Sequence, residues 1–386
     1  MTQLRWSTAG ESHGPALIGI LEGLPAGLGL DLERVQRELT RRQGGYGRGG
    51  RMRIEQDRAE LLSGTRAGRT LGSPLALRIE NKDATIERLP VPDNPRPGHA
   101  DLAGCHKYGH QDPRAVLERA SARETAMRVA LAACARQVLE HFGIEIFACV
   151  RALGGLADDP RRFEACWARP RVEREALRGA SPFYTLSPQL DAALEERVDA
   201  AKAAGDTLGG IVEVRALGLP PGLGSYQSGP ERLGARLGAA LLSIPAFKGV
   251  EIGDGFALAG LPGSQAHDPI QAAEPGAGAS RYQRSSNHAG GLEGGITTGE
   301  PLVLRAAMKP IPTLREGLGS VRFEDLSLVK ATYQRSDVTS VPAASVIAEA
   351  MVALELTRAF LETFGGDSLG ALEAAYRQHL ERVRRV

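Results

Sequence analysis

Arg119-Ala-Ser-Ala-Arg-Glu-Thr-Ala-Met-Arg-Val129 sets three arginines and two hydroxyls on the first turns of a long helical pattern, just after a stretch holding His99, His106 and His110. Arginine stays charged at any working pH and presents a fixed donor fork to carboxylate or phosphate. The cluster therefore reads as a surface for a multiply anionic ligand. Gly10-Glu-Ser-His-Gly14 adds a histidine flanked by glycines, exposed and close to backbone donors, where it can protonate a leaving group. The same five residues satisfy the nucleophile-elbow pattern of hydrolases around Ser12. Their context does not, because only nine residues precede them and Pro15-Ala-Leu-Ile-Gly-Ile20 reads as strand, not helix.

Pro97-Gly-His-Ala-Asp101 offers His99 beside a carboxylate, a neighbour that favours the charged form of an imidazole. The spacing of His99, Asp101, Cys105, His106 and His110 is irregular and no second cluster supplies a matched set, so no metal site is expected. Arg41-Arg-Gln-Gly-Gly-Tyr-Gly-Arg-Gly-Gly-Arg-Met-Arg53 reads as a flexible lid whose Arg42 and Arg48 close over an anionic small molecule. Single-stranded RNA binding and a plain solvated loop are the alternatives, the first opposed by the lack of repeated aromatics. Lys309-Pro-Ile-Pro-Thr313 follows a strand pattern and Gln334-Arg-Ser-Asp-Val-Thr339 precedes a helix pattern, both natural places for anion or cofactor contacts.

The elements that must position these residues read as follows. Strands are expected over 16–24, 75–80, 144–150 and 211–217, and helices behind an Asp31 cap, over 113–142, from about 188 to 204 and over 342–364. Asn81–Asp112, with four prolines, reads as a long connection without regular structure, and Asp158–Ser181 as a surface excursion. Gly23-Leu-Pro-Ala-Gly-Leu-Gly29 recurs as Gly218-Leu-Pro-Pro-Gly-Leu-Gly224, each time between a strand and a helix. That echo favours two related halves, about 1–155 and 205–365, packed into one α+β body whose irregular loops share a cleft.

Composition sets the frame. The 386 residues are 42% hydrophobic and 24% charged, as in a soluble globular protein, and 47 basic against 46 acidic residues leave no global field for nucleic acid or an anionic membrane. Any anion site must be local. Six of the 47 basic residues are lysine and 41 are arginine, a skew that codon bias can produce. The four cysteines form no C-x-x-C pair, and neither a leader pattern nor an apolar run of about 18 residues is present, so a reducing cytoplasm is the expectation.

Taken in order, Gly10-Glu-Ser-His-Gly14, Arg96-Pro-Gly-His-Ala-Asp101, Lys107-Tyr-Gly109, Arg119-Ala-Ser-Ala-Arg-Glu-Thr125, Lys248-Gly-Val-Glu-Ile-Gly-Asp-Gly-Phe256, Ser286-Asn-His-Ala-Gly-Gly291, Lys309-Pro310 and Arg335-Ser-Asp337 resemble the chorismate synthase family over roughly residues 5–360. The resemblance implies a body of β-α-β sandwich type and conversion of 5-enolpyruvylshikimate 3-phosphate to chorismate, an anti 1,4-elimination needing reduced FMN without net redox change. It implies His13 as the acid toward departing phosphate, His99 as the partner of reduced flavin, and Asp337 as the carboxylate relaying the ring proton. Ser12, Arg42, Arg48 and Arg123 match substrate- or NADP-binding positions. Arg119, Ala120, Ser121, Ala246, Gly294, Lys309, Pro310, Ile311, Pro312, Thr313 and Arg335 match FMN-binding ones.

A homotetramer is likewise implied by the family alone. No G-x-G-x-x-G motif on a βαβ unit is present, so flavin reduction by a separate reductase is expected over an intrinsic NADPH activity. Two stretches depart from the family pattern: Ser336-Asp-Val-Thr339 stands where many members have His-Asp-Pro-Cys, and Pro245 where Asn or Gln is usual. Proline at 245 removes a side-chain amide and a backbone donor.

Overall fold

The computed structural model describes residues 3–49, 56–274, 280–332 and 337–386. Strands β1 (Arg5–Ala9) and β2 (Ala16–Glu22) pair antiparallel from Arg5↔Glu22 to Ala9↔Ile18, with the Gly10–Gly14 loop at their turn. Helix α1 (Leu32–Gln43) starts at Asp31, whose carboxylate accepts the Glu33 and Arg34 N–H groups, so the expected cap is present. Strands β3 (Ala59–Ser63) and β4 (Leu75–Glu80) complete an antiparallel sheet in the order β1-β2-β4-β3. Leu17, Leu21, Leu75, Leu77 and Ile79 alternate onto its buried face.

Two expectations need correction in the stretch that follows. Asn81–Asp112 is not without regular structure: a 3₁₀ turn spans Ile86–Arg88 and helix α2 covers Asp101–Tyr108, beyond the last proline that would interrupt it. The single helix expected over 113–142 is two, α3 (Arg114–Ala120) and α4 (Thr125–His141), joined by a 3₁₀ turn at Ala122–Glu124. The break falls at Ser121, extended at ψ 143°, whose hydroxyl accepts the Arg123 N–H at 3.2 Å. A serine that bonds nearby backbone competes with the helical ladder, and here the competition wins.

Strand β5 (Glu145–Leu153) opens the second sheet, with β6 (Leu156–Ala157) beside it. The expected excursion is then two helices, α5 (Pro160–Trp167) and α6 (Arg171–Ala180). They carry Phe163, Cys166 and Trp167 onto Phe147 and Cys149 of β5, while Ile146, Ala148 and Val150 face the main core. Covered on both faces, β5 reads as a continuous apolar run. Helix α7 (Asp191–Ala203), strand β7 (Gly210–Leu217), helix α8 (Leu233–Leu242) and strands β8 (Phe247–Ile252) and β9 (Leu302–Met308) follow, giving an antiparallel sheet β8-β9-β7-β5-β6.

Helix α9 (Val341–Phe364) starts with Pro342 in its first turn, stops at Gly365 with φ +65°, and is apolar nearly all round. It packs along α4, and the pair fills the space between the sheets, α4 against β2 and β4, α9 against β5 and β7. Close approach is built in at Gly19 of β2, where a Cβ would stand 2.5 Å from Met127 Sδ of α4. Leu131 and Leu139 of α4 are fully buried in this layer, and truncating either to alanine costs about 2–5 kcal/mol by the usual core penalty. Helix α10 (Leu369–Val383) closes the chain against α9. The α+β class holds, and each Gly-Leu-Pro turn follows a strand, β2 or β7, and precedes a helix, α1 or α8. No helix among the described residues is long and apolar enough to cross a membrane.

Candidate active site

The β1–β2 turn presents Ser12 and His13. Glu118, in the last turn of α3 and 2% exposed, holds both: its carbonyl accepts the Ser12 N–H at 3.0 Å, and its carboxylate accepts the His13 N–H at 2.8 Å. The same carboxylate stands 3.0 Å from His13 Nδ1 through both oxygens. A carboxylate can only accept, so Nδ1 is the donor and Nε2 is left for other chemistry, 3.9 Å from Asp83 Oδ2. Burial alone would raise the Glu118 carboxyl, but the hydrogen bonds from His13 and the charge of Arg114 outweigh it and hold it below its ordinary value. Ser121, freed by the helix break, donates from Oγ to Ser12 Oγ at 3.1 Å.

Beneath this loop lies a charged floor. Arg123 donates from Nε to Asn81 Oδ1 at 2.9 Å and pairs through Nη1 with the buried Asp57, while Asn81 Nδ2 holds the Glu11 and Gly14 carbonyls. Arg42 was expected on a lid. Instead it is 4% exposed, with donors on Thr125 Oγ1 at 2.9 and 3.0 Å, the Ala122 carbonyl at 2.8 Å and Asp57 Oδ2 at 3.3 Å. The reason is its place in the last turn of α1, which faces the start of α4 rather than solvent. Burial, with Arg48 and Arg123 adding repulsion against the attraction of Asp57 and Asp337, brings the Arg42 guanidinium down to about 10.

Arg48 behaves differently. Its Nη1 stands 2.7 Å from Asp337 Oδ2, the Gly49 N–H reaches Asp337 Oδ1 at 2.6 Å, and Ser340 Oγ donates to Oδ2 at 2.7 Å. The Val338 N–H bonds the Gly47 carbonyl at 2.8 Å, so residues 47–49 lie strand-like along 337–338. Thr339 buries its methyl against Gly47.

The third group surrounds His99. Asp101, buried at the start of α2, stands 2.6 Å from His99 Nδ1 and accepts Arg96 Nε at 2.8 Å and Nη2 at 3.0 Å. Burial pushes the Asp101 carboxyl up, but the bonds from His99 and Arg96 prevail and keep it well below the usual carboxylate range. Lys309 donates from Nζ to the Gly98 carbonyl at 2.5 Å, and Arg96 Nη1 reaches Thr313 Oγ1 at 3.3 Å. The Lys309–Thr313 loop, with Pro310, Ile311 and Pro312, therefore lies against the His99 segment. Burial and the nearby Lys248 lower the Lys309 ammonium.

Backbone and side-chain links tie the groups together. Ile86 N–H bonds the His13 carbonyl at 3.1 Å, Thr207 Oγ1 holds the Ile311 carbonyl at 2.8 Å, and Leu208 N–H holds Val338 at 2.9 Å. One route of contacts thus runs from the His99 segment through 309–313 and 207–208 to the Asp337 segment, while between Asp337 and His13 the path follows the chain from 47–49 back to Arg42, which holds the Ala122 carbonyl next to Ser121. Ala246, at φ +70° after Pro245, accepts the Lys309 N–H at 2.9 Å. Arg119 is exposed and donates to the Gly10 and Thr8 carbonyls at 3.0 and 2.9 Å, with half-buried Ala120 beside it. Gly294 is not drawn in: it turns a small hairpin whose contacts run to Arg232, Leu233 and Arg284. Arg335 lies outside the described residues.

Glu118, Arg114, Asp57 and Asn81 carry no spacing signal and were missed by sequence reasoning. Arg96 stood in a quoted motif, and its pairing with Asp101 was open to notice. A separate cleft of about 570 Å³ is lined by Arg34, Arg37, Arg41, Arg136 and Arg178 among others. Its deeper arginines are spent inside the protein: Arg41, Arg136 and Arg178 converge on the buried Glu349 at 2.8, 2.5 and 3.1 Å.

His13 and His99 are each seated on a buried carboxylate and Asp337 is held by Arg48, side chains of the kinds that a lyase uses to move protons. Residues 4–361 match the sequence profile of chorismate synthases. A chorismate synthase of Pelobacter propionicus is 50% identical over 99% of both chains, and one of Desulforudis audaxviator is 51% identical over 99% of this chain and 98% of its own. A crystal structure of chorismate synthase superposes with a TM-score of 0.82 at 41% identity, covering 100% of this chain and 99% of the other. The chain belongs to the chorismate synthase family, and the family's members are lyases.

Proposed function

We propose that this chain converts 5-enolpyruvylshikimate 3-phosphate to chorismate, with reduced FMN bound beside the substrate and no net redox change. In the elimination a ring C–H bond and the C–O bond to phosphate break, a ring double bond forms, and phosphate leaves with the C–O electron pair. Bound reduced flavin supplies transient electron density that eases departure of the phosphate.

Within the chain, His13 donates a proton from Nε2 to the departing phosphate, a role supported by the seating of Nδ1 on Glu118. Asp337 accepts the ring proton in relay, and Arg48 and the Gly49 N–H orient its two oxygens. Arg48 and Ser12 contact substrate anionic groups, and Arg42 and Arg123 serve them from below by fixing the turn that carries Ser121. His99, braced by Asp101, faces the flavin. Arg119, Ala120, Ser121, Ala246 and Lys309–Thr313 would hold FMN. The fit rests on an exposed guanidinium at Arg119, an ammonium at Lys309 and hydroxyls at Ser121 and Thr313, the donor set that a phosphate and a polar ring edge require. Gly294 and Arg335 join this set on family resemblance alone.

A homotetramer, a cytoplasmic setting, a separate flavin reductase and a duplicated origin of the two halves complete the proposal. The single observation that supports it best is the seating of His13 and His99 on the buried carboxylates of Glu118 and Asp101 in a chain of this family. Anaerobic incubation with dithionite-reduced FMN and the phosphorylated enolpyruvyl substrate tests it: chorismate and inorganic phosphate should appear in equal amounts, and a folded protein that releases neither rejects it.

A further inference from the structure

We infer that Glu118 is the positioning residue of His13, fixing the imidazole so that Nε2 is the nitrogen that works, an inference that rests on His13 being the acid. One carboxylate makes three contacts to one residue, the backbone N–H at 2.8 Å and Nδ1 at 3.0 Å from each oxygen, while the Glu118 carbonyl pins Ser12 at 3.0 Å. Both the loop path and the ring orientation are set from this single side chain. Glu118 does not choose its own rotamer freely: Arg114, one turn earlier on α3, stands 3.5 Å from its Oε1 and is itself anchored on the Pro90 carbonyl at 2.6 Å.

The charged groups facing the ring are Glu118 on the Nδ1 side, Arg114 behind it, and Asp83 beyond Nε2. The carboxylate at 3.0 Å is the nearest of them, and because it can only accept, the ring keeps a proton on Nδ1 and turns Nε2 away from Glu118. The His99 site repeats the design, with Asp101 on Nδ1 and Arg96 bracing Asp101. A residue whose job was only to close α3 would not need its carboxylate on a ring nitrogen of the preceding loop.

Glu118→Gln keeps the shape but removes the charge beside Nδ1 and leaves one accepting oxygen where two now serve the His13 N–H and the ring. It should lower kcat by about 100-fold or more while KM changes by less than about threefold. Glu118→Asp, which keeps the charge one methylene further away, should recover part of the rate. Independently of turnover, imidazole 15N chemical shifts read which ring nitrogen of His13 carries the proton: Nδ1 in the wild type, with that preference lost in Glu118→Gln. A variant with wild-type kcat and wild-type 15N shifts overturns the inference. If Glu118→Gln does not fold, Glu118→Asp decides: a reduced kcat supports the brace, and a wild-type kcat with wild-type 15N shifts overturns it. Wild-type protein that forms no chorismate rejects the assigned reaction instead, and the brace is then judged on the 15N shifts alone.

Discussion

Arg48 Nη1 and Asp337 Oδ2 stand 2.7 Å apart, joining the glycine-rich segment after α1 to the segment that leads into α9. Both side chains are largely buried, so the pair is not a screened surface contact. Arg48→Ala removes one of three donors from Asp337 and one cation from the ligand's surroundings. Loss of a hydrogen bond to a charged group is worth about 1.5–3 kcal/mol, so KM for substrate should rise about 10- to 100-fold. Steady-state kinetics checks this, and an unchanged KM would assign residues 44–49 to structure alone.

His13→Ala leaves Glu118, Ser12 and the arginine floor in place. Affinity for oxidised FMN and substrate should stay near wild type while turnover falls about 100- to 10,000-fold. Equilibrium binding measured beside single-turnover rates separates the two effects, and a near wild-type rate removes His13 from the mechanism.

Glu349 of α9 is the carboxylate on which Arg41 of α1, Arg136 of α4 and Arg178 of α6 converge. Burial raises it, but the three guanidiniums dominate and hold it far below an ordinary glutamate. Removing the partner of buried charges is expensive, so Glu349→Gln should destabilise the fold by about 3–5 kcal/mol in chemical denaturation.

The pH dependence of stability follows from the same sign. Glu349, Asp101 and Glu118 all have carboxyls depressed in the folded state, so the stability they contribute is complete above the unfolded carboxyl range near 4 and is lost as pH falls through their lower folded values. Denaturation midpoints should therefore be level in this respect from about pH 8 to 5 and fall steeply below about 4. A midpoint that rises on acidification contradicts these three assignments.

Gly47 adopts φ +83°, and a Cβ there would stand 2.9 Å from Thr339 Cγ2. Gly47→Ala should cost about 1–2 kcal/mol for the left-handed backbone and push residues 47–49 off Asp337. Lower thermal stability together with reduced kcat is the expected pair of outcomes, and an unaffected kcat would mean that the contact along 337–338 tolerates displacement.

What was legible in the chain follows from physics that is local. The Asp31 cap, the alternating β2 and β4, and the apolar run of α9 each announce themselves within one element, and the fold follows them. The break at Ser121 was hidden because a serine hydroxyl either caps a turn or points to solvent, and only its neighbours decide. Helices α5 and α6 were hidden because arginine-rich amphipathic segments look like surface until Phe147 and Cys149 of β5 require a cover. His13 and His99 stood out through their glycine and proline settings, and Asp337 through the family resemblance. Glu118 and Asp57 did not, since a lone carboxylate reads as solvated until a tertiary contact buries it, and burial of Arg42 was hidden for the same reason.

A crystal structure of the protein with oxidised FMN and 5-enolpyruvylshikimate 3-phosphate tests the central claim most directly. Both ligands should lie together between the β1–β2 turn and the 309–313 loop, with His13 Nε2 within hydrogen-bond reach of the substrate phosphate and His99 beside the flavin ring. Ligands seated instead in the arginine cleft beside α1 and α6, or apart from one another with His13 facing neither, would contradict it.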